Sequence, residues 1–386
     1  MKNLIRFLVP AIMAGCTAAA QDGSDMGRAK AVLAQHPLID GHNDLPWAIR
    51  KETAGDIAAY DLTGHASGHT DFPRLEQGMV GGQFWSVYIP ADLDPADMVP
   101  TQLEQIDIAR RVIAAYPQYL ELAGTADDME RIFHEGRIGS MLGVEGGHAI
   151  NNSLAALRSY YALGARYMTL THMLNNDWAD AATDEPAHGG LTAFGQEVVR
   201  EMNRLGMLVD LSHVSPATMS DALDVSEAPV IFSHSSARGL VDHPRNVPDS
   251  ILKRLPENGG VVMVTFVPSY VAADSNADVS TVADHIAYIR DVAGIDHIGI
   301  GADFDGIDHG PVGLEDVSTY PALFAELAHR GFTDAELAKI AGGNVLRALR
   351  GAEAVAHRLQ QERPPSTRTI EELDGSATSP AAPPTE

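Results

Sequence analysis

Short apolar runs recur along the chain, and most of them stop at a histidine, an aspartate or a glutamate. Candidate strands cover residues 37–40, 82–89, 138–144, 165–171, 208–212, 230–233, 261–267 and 297–301. They read as continuous Val, Ile, Leu and Met rather than as alternation, the pattern of strands covered on both faces in a parallel sheet. Apolar positions at helical spacing fall between them, over 100–116, 154–163, 192–205, 279–293 and 320–329, then over 333–341 and 343–352. Residues 215–222 open as a capped helix, with Ser215 followed by Pro216 at the first turn. Strands separated by helices throughout one chain predict an α/β fold, a (β/α)8 TIM barrel. The alternative is an open doubly wound sheet, but no GxGxxG or GxxxxGK[ST] follows any strand to support nucleotide binding.

The 386 residues, 45% of them hydrophobic, suffice for one large barrel. The formal charge of −25, from 27 basic and 52 acidic residues, argues against nucleic acid as a partner. Part of that acidic excess is expected to be carboxylates neutralised by a cation.

The ends are expected to lie outside the barrel. Residues 1–16 look like an export signal: Lys2 and Arg6 precede an apolar run from Phe7 to Gly15 that is too short to span a bilayer. The run stops at Cys16, the only cysteine, as in bacterial lipoprotein signals. Cys16 is therefore expected to carry a lipid anchor that places the protein on the periplasmic face of the outer membrane. With no second cysteine there is no intramolecular disulfide and no thiolate cage. Residues 17–27 read as a linker, 28–358 as the catalytic barrel and 359–386, rich in Pro, Ser and Ala, as a flexible tail.

A barrel predicts functional groups at the C-terminal ends of its strands. His42 and Asp44 follow the first run, Glu145 the third, His172 the fourth, His213 the fifth, His234 the sixth and Asp303 the eighth. A lone histidine after a strand is more often a hydrogen-bonded loop residue than a ligand. His148, His65, His69, His188 and His309 are given that reading. Convergence separates the others from it. They are too many for one catalytic zinc with three protein ligands, and they suit two metals about 3.5–4 Å apart, bridged by a carboxylate and a water. HExxH and GxSxG are both absent.

The segments LIDGHNDLPW, GVEGGH, LTHMLNNDWAD, VDLSHVS, FSHSSAR, HPRNVPD and GADFDG, in this order, closely resemble the membrane dipeptidase family of zinc metallopeptidases from about Leu38 to Leu349. The resemblance implies an amidohydrolase-like barrel with two zinc ions per chain. His42 and Asp44 would hold one ion, His213 and His234 the other, and Glu145 would bridge them. Asp303 would lie at the first metal, orient the bridging water for attack and pass its proton to the leaving amine. His172 would contact the substrate and stabilise the oxyanion, and Arg245 would grip the free carboxylate of a dipeptide. Trp47 and Tyr270 are expected to line the pocket. Dipeptides with a C-terminal D-residue are implied as substrates, and a homodimer is compatible. Animal members carry disulfides and a C-terminal anchor, for which this chain has no cysteines beyond Cys16. Two other readings remain open at this stage: a metal-dependent hydrolase of N-acyl amino acids or cyclic amides, and a non-catalytic binding lipoprotein.

Overall fold

The computed structural model describes residues 25–375; the signal segment, Cys16 and residues 376–386 lie outside it. Among the described residues nine strands form one parallel sheet: β1 (Leu38–Asn43), β2 (Val80–Ser86), β3 (Leu120–Leu122), β4 (Ile138–Val144), β5 (Ala165–Thr169), β6 (Leu208–Asp210), β7 (Ile231–Ser235), β8 (Val261–Val264) and β9 (Ile298–Ile300). Eight of them close a barrel in the order β1, β2, β4, β5, β6, β7, β8, β9, with β9 returning to β1. Helices cover the outside, and nearly every strand residue is buried, as the unbroken apolar runs require.

β3 is the strand that the apolar pattern did not predict, and the helices Leu45–Thr53, Phe72–Gln77 and Ala126–His134 were not expected either. The three residues of β3 pair with Ile138, Gly139 and Ser140 at the start of β4, while β5 pairs with Leu142 to Val144 higher on the same strand. A three-residue wedge of this kind carries too little periodicity to be read. The helix expected from 100 begins earlier, at Pro95, because Asp94 caps it by accepting the Ala96 N–H. The cap expected at Ser215 is present, its hydroxyl accepting the Thr218 N–H.

Both ends differ from expectation. A helix over 25–33 takes in the last residues of the supposed linker. It lies at the closed end of the barrel, where Arg28 donates to the Phe332 carbonyl and Asp25 meets His329. Leu33 and Ala34 border a cavity shared with Val80 and Ile138, the first residues of β2 and β4. At the other end the barrel helix Asn344–Glu362 runs past 358. The following residues do not form a flexible tail as far as they are described. Glu201 accepts the Ser366 N–H, Arg158 donates to the Ser366 carbonyl, and Asp374 accepts the Phe194 N–H. A capped helix, Ile370–Asp374, packs Ile370 and Leu373 against the core. Specific hydrogen bonds order a stretch whose composition alone would not.

Candidate active site

The strand ends gather at the open end of the barrel as the alternation of strand and helix requires. The floor is built by close approach. A Cβ at Gly41 or Gly301 would collide with the Ser233 carbonyl and Met263 across the barrel, so glycine lets these strands meet beneath the site.

On that floor, His42 Nε2 lies 3.2 Å from Asp44 Oδ2 and 3.5 Å from Glu145 Oε1. His213 Nε2 lies 3.0 Å and His234 Nε2 3.5 Å from the same Glu145 oxygen. Two trios with the spacing of metal ligands therefore share Glu145: His42, Asp44 and Glu145, and Glu145, His213 and His234. Asp303 Oδ1 is 3.9 Å from His42 Nε2 and forms a third trio with His42 and His234. His172 Nε2 stands 3.8 Å from Glu145 and belongs to none of them.

The imidazoles are oriented from behind. His42 Nδ1 bonds the Tyr167 hydroxyl at 2.8 Å and His234 Nδ1 the Ser233 hydroxyl at 2.8 Å, leaving Nε2 of both rings to face inward. Ser86, the last residue of β2, donates to the second oxygen of Glu145. His213 Nε2 and His234 Nε2 face each other at 2.8 Å. Burial, aided by the nearby Arg245 charge, holds both rings well below the usual imidazole range, in the neutral form that ligates. Burial, with Asp44 and Glu145 alongside, pushes Asp303 well above the usual carboxylate range. For Glu145 burial acts upward, but His42 and His172 prevail and hold it low. In His42, burial acts downward and the surrounding negative groups prevail, so it binds a proton tightly.

This donor set fits divalent metal. His42 Nε2 and Asp44 Oδ1 are buried without a well-aligned hydrogen-bond partner among the described residues. Facing nitrogens and crowded carboxylates repel until a cation sits among them, and metal would displace the proton on His42.

Above the ligands lies a cavity of about 410 Å³. Arg245 and Tyr270 form one wall, Trp47 and Tyr88 another. Arg245 is 1% exposed, its Nη2 donates to the His234 carbonyl at 3.3 Å, and Nε and Nη1 have no partner among the described residues. Its guanidinium carbon lies 5.5 Å from the Tyr270 ring centroid, and the His243 ring packs against the same tyrosine at 4.3 Å. The loop after β5 completes the rim. Asp180 accepts the N–H groups of Ala187, His188, Gly189 and Gly190 and so folds this polar loop back, with Met173 at the cavity.

A family model described as membrane dipeptidase (peptidase family M19) matches residues 26–363. The chain belongs to the membrane dipeptidase family. This metallopeptidase is 46% identical to mouse dipeptidase 3 over 342 residues, 87% of this chain and 69% of the mouse protein. Its fold is similar to that of a probable dipeptidase from Pseudomonas aeruginosa, with a TM-score of 0.79 at 23% identity, covering 86% of this chain and all of the other. A metallopeptidase from Rhodobacter sphaeroides, solved with a phosphinate mimic of the dipeptide L-Ala-D-Ala, matches at 25% identity with a TM-score of 0.75 over 82% of this chain and 99% of that one.

Every site residue expected in the dipeptidase barrel lies at this mouth. Four relevant side chains were not foreseen. Tyr88 packs its ring 4.8 Å from that of His172 and 4.9 Å from that of Trp47, yet in sequence it reads as one more core aromatic. Tyr167 was hidden in the same way. Asp40 and Asp210 were visible only as polar interruptions at strand ends. Arg238, at the end of FSHSSAR, brings no second cation to the cavity; it pairs with the exposed Asp242. His148 is the hydrogen-bonded histidine it was taken for: its Nε2 meets the Ile89 carbonyl, and burial lowers its pKa to about 4.

Proposed function

We propose that the protein is a binuclear zinc dipeptidase that cleaves the single peptide bond of dipeptides, including those with a C-terminal D-residue. The observation that carries this reading is Arg245: a buried guanidinium with no carboxylate partner among the described residues, lining with the ligand cluster a cavity the size of a small substrate. A substrate carboxylate is the natural partner for that fork. His172 and Glu145 line the same cavity, so a dipeptide held there would present its peptide bond to the ligand cluster. The phosphinate mimic held by the Rhodobacter sphaeroides relative supports a D-residue at the carboxylate end.

His42, Asp44 and Glu145 would hold one zinc, and Glu145, His213 and His234 the other. The metal pair, when bound, supplies Lewis acidity and a water acidified toward a pKa of about 7. Asp303 accepts the proton of the attacking water and delivers it to the leaving amine; its carboxylate stands at the edge of the cluster, 3.9 Å from His42, and also lines the cavity. His172 donates a hydrogen bond to the carbonyl oxygen as it gains charge. Arg245 orients the substrate, and Tyr88 and Trp47 enclose its side chains.

A panel of L,L- and L,D-dipeptides, dipeptide amides and N-acetyl amino acids, run beside a metal count, tests the reading. We expect two zinc ions per chain and cleavage of dipeptides, with amides poor because they cannot pair with Arg245. Equal cleavage of amides would remove the carboxylate clamp, and preference for N-acetyl amino acids would transfer the site to the alternative hydrolase reading. We further propose lipid attachment at Cys16 and an outer-membrane location. Metabolic labelling with a fatty acid, lost in Cys16→Ala, is the check.

A further inference from the structure

We propose that Asp40 and Asp210 are positioning residues, each of which sets one half of the metal-ligand cluster. Neither lines the cavity, and neither belongs to a ligand trio. Both are fully buried without a cationic partner among their hydrogen bonds, a costly arrangement that an apolar side chain would avoid.

Their contacts repeat. Asp40 Oδ1 accepts the His42 N–H at 3.1 Å and, across to the strand beside it, the Ala302 N–H at 2.9 Å. Asp210 Oδ1 accepts the Ser212 N–H at 3.0 Å and, across to its neighbouring strand, the Ser233 N–H at 2.9 Å. These amides are those of a ligand or of the residue just before one. Asp40 thereby clips His42 to Asp303, and Asp210 clips His213 to His234. Each clip also bounds one strained ligand: Asp303 and His213 both have φ of +71°, in the left-handed region that non-glycine residues seldom adopt. Pinning the preceding amide, Ala302 or Ser212, fixes the backbone from which that strained residue departs.

The two clips differ in what holds the carboxylate. Asp40 Oδ2 accepts the Tyr320 hydroxyl from outside the cluster, while the side-chain support of Asp210 comes from within it, from Ser233 next to the ligand His234. The Asp40 clip is thus held from outside the site, and it can be loosened by removing one remote oxygen.

The inference rests on the binuclear reading, and its test separates the two. Metal-stripped full-length protein is titrated with zinc by calorimetry. The wild type should show two binding events; fewer than two overturns the binuclear reading and this inference with it. Asp40→Ala should weaken one event about 10–100-fold, the range for lost support behind a ligand, and leave the other within about threefold. Its titration should match that of Asp44→Ala. Asp210→Ala should weaken the other event and match His213→Ala. Asp40→Asn and Asp210→Asn keep an acceptor oxygen and should recover most of the affinity. Tyr320→Phe, which leaves the barrel intact, should weaken only the event lost in Asp44→Ala, so the proposal stays testable even if an alanine variant fails to fold. Two wild-type events that both variants weaken alike, that neither weakens, or that the asparagine variants fail to rescue would overturn it.

Discussion

Two arginines are almost equally buried in this protein, and they lie in opposite chemical settings. Arg204, 7% exposed on the helix Ala193–Leu205, gives two parallel hydrogen bonds of 2.8 Å to Glu201. That carboxylate also takes Arg158 and the Ser366 N–H. Arg245, 1% exposed at the barrel mouth, has a carbonyl and the face of a tyrosine, and no carboxylate. Burial is common to both; charge balance is not. A buried cation matched inside the chain belongs to the fold. One left unmatched beside a cavity leaves its partner to arrive from outside, and the fold bears a standing cost for it.

The sharpest way to break this contrast is to remove what is thought to balance the mouth. Chelation should lower dipeptide hydrolysis by at least about 10³-fold, several kcal/mol of barrier. Zinc should restore it, while far-ultraviolet circular dichroism stays unchanged. Activity that survives complete metal removal would mean that the unpaired imidazoles at the mouth need no cation.

Arg245→Met comes next. It should lower kcat/KM for dipeptides by about 100-fold or more, mainly through KM, since an unpaired buried carboxylate in the complex costs about 2–5 kcal/mol. The same variant should keep or raise the melting temperature, because it deletes a buried charge that no carboxylate pairs among the described residues. A variant that lost stability and kept KM would place Arg245 with Arg204, as scaffold.

The counterpart, Arg204→Met, should do the reverse. Glu201 would keep Arg158 and the Ser366 N–H, so the loss should be about 2–3 kcal/mol of unfolding free energy, with KM and kcat unchanged. Chemical denaturation and initial rates on one preparation decide it.

The smallest effect is expected from pH. His285 Nε2 donates to the Val271 carbonyl and its Nδ1 accepts the Ala237 N–H, tying the segment that leads to Arg245 to the turn that carries Tyr270. Burial lowers its pKa in the folded protein. The unfolded chain therefore takes up a proton near pH 6.5 that the folded chain refuses, so this contribution is present above that pH and lost as pH falls below it. The denaturation midpoint should drop between pH 7.5 and 5.5 more in the wild type than in His285→Gln. Equal drops would remove His285 from the clamp.

What could be read from the chain follows the range of the interactions. Parallel strands, helix caps such as Ser215 and the strand-end ligands are set by neighbours in sequence, and their signals are local. The family resemblance then supplied roles for Arg245 and His172 that spacing alone does not contain. β3 was illegible because three residues carry no period. The order beyond 358 was illegible because it comes from Glu201, Arg158 and Phe194, far back in the sequence. Tyr88 and Tyr167 look like ordinary core aromatics until the barrel closes and places a histidine against each. The left-handed backbone at His213 and Asp303 has no residue signature, since neither position is glycine.

The helix over 25–33 has one more consequence. It emerges at the end of the barrel away from the cavity, between His329 and the start of β2. A label or support attached on that helix would therefore sit across the barrel from the opening, and immobilisation there should leave turnover at its free-solution rate.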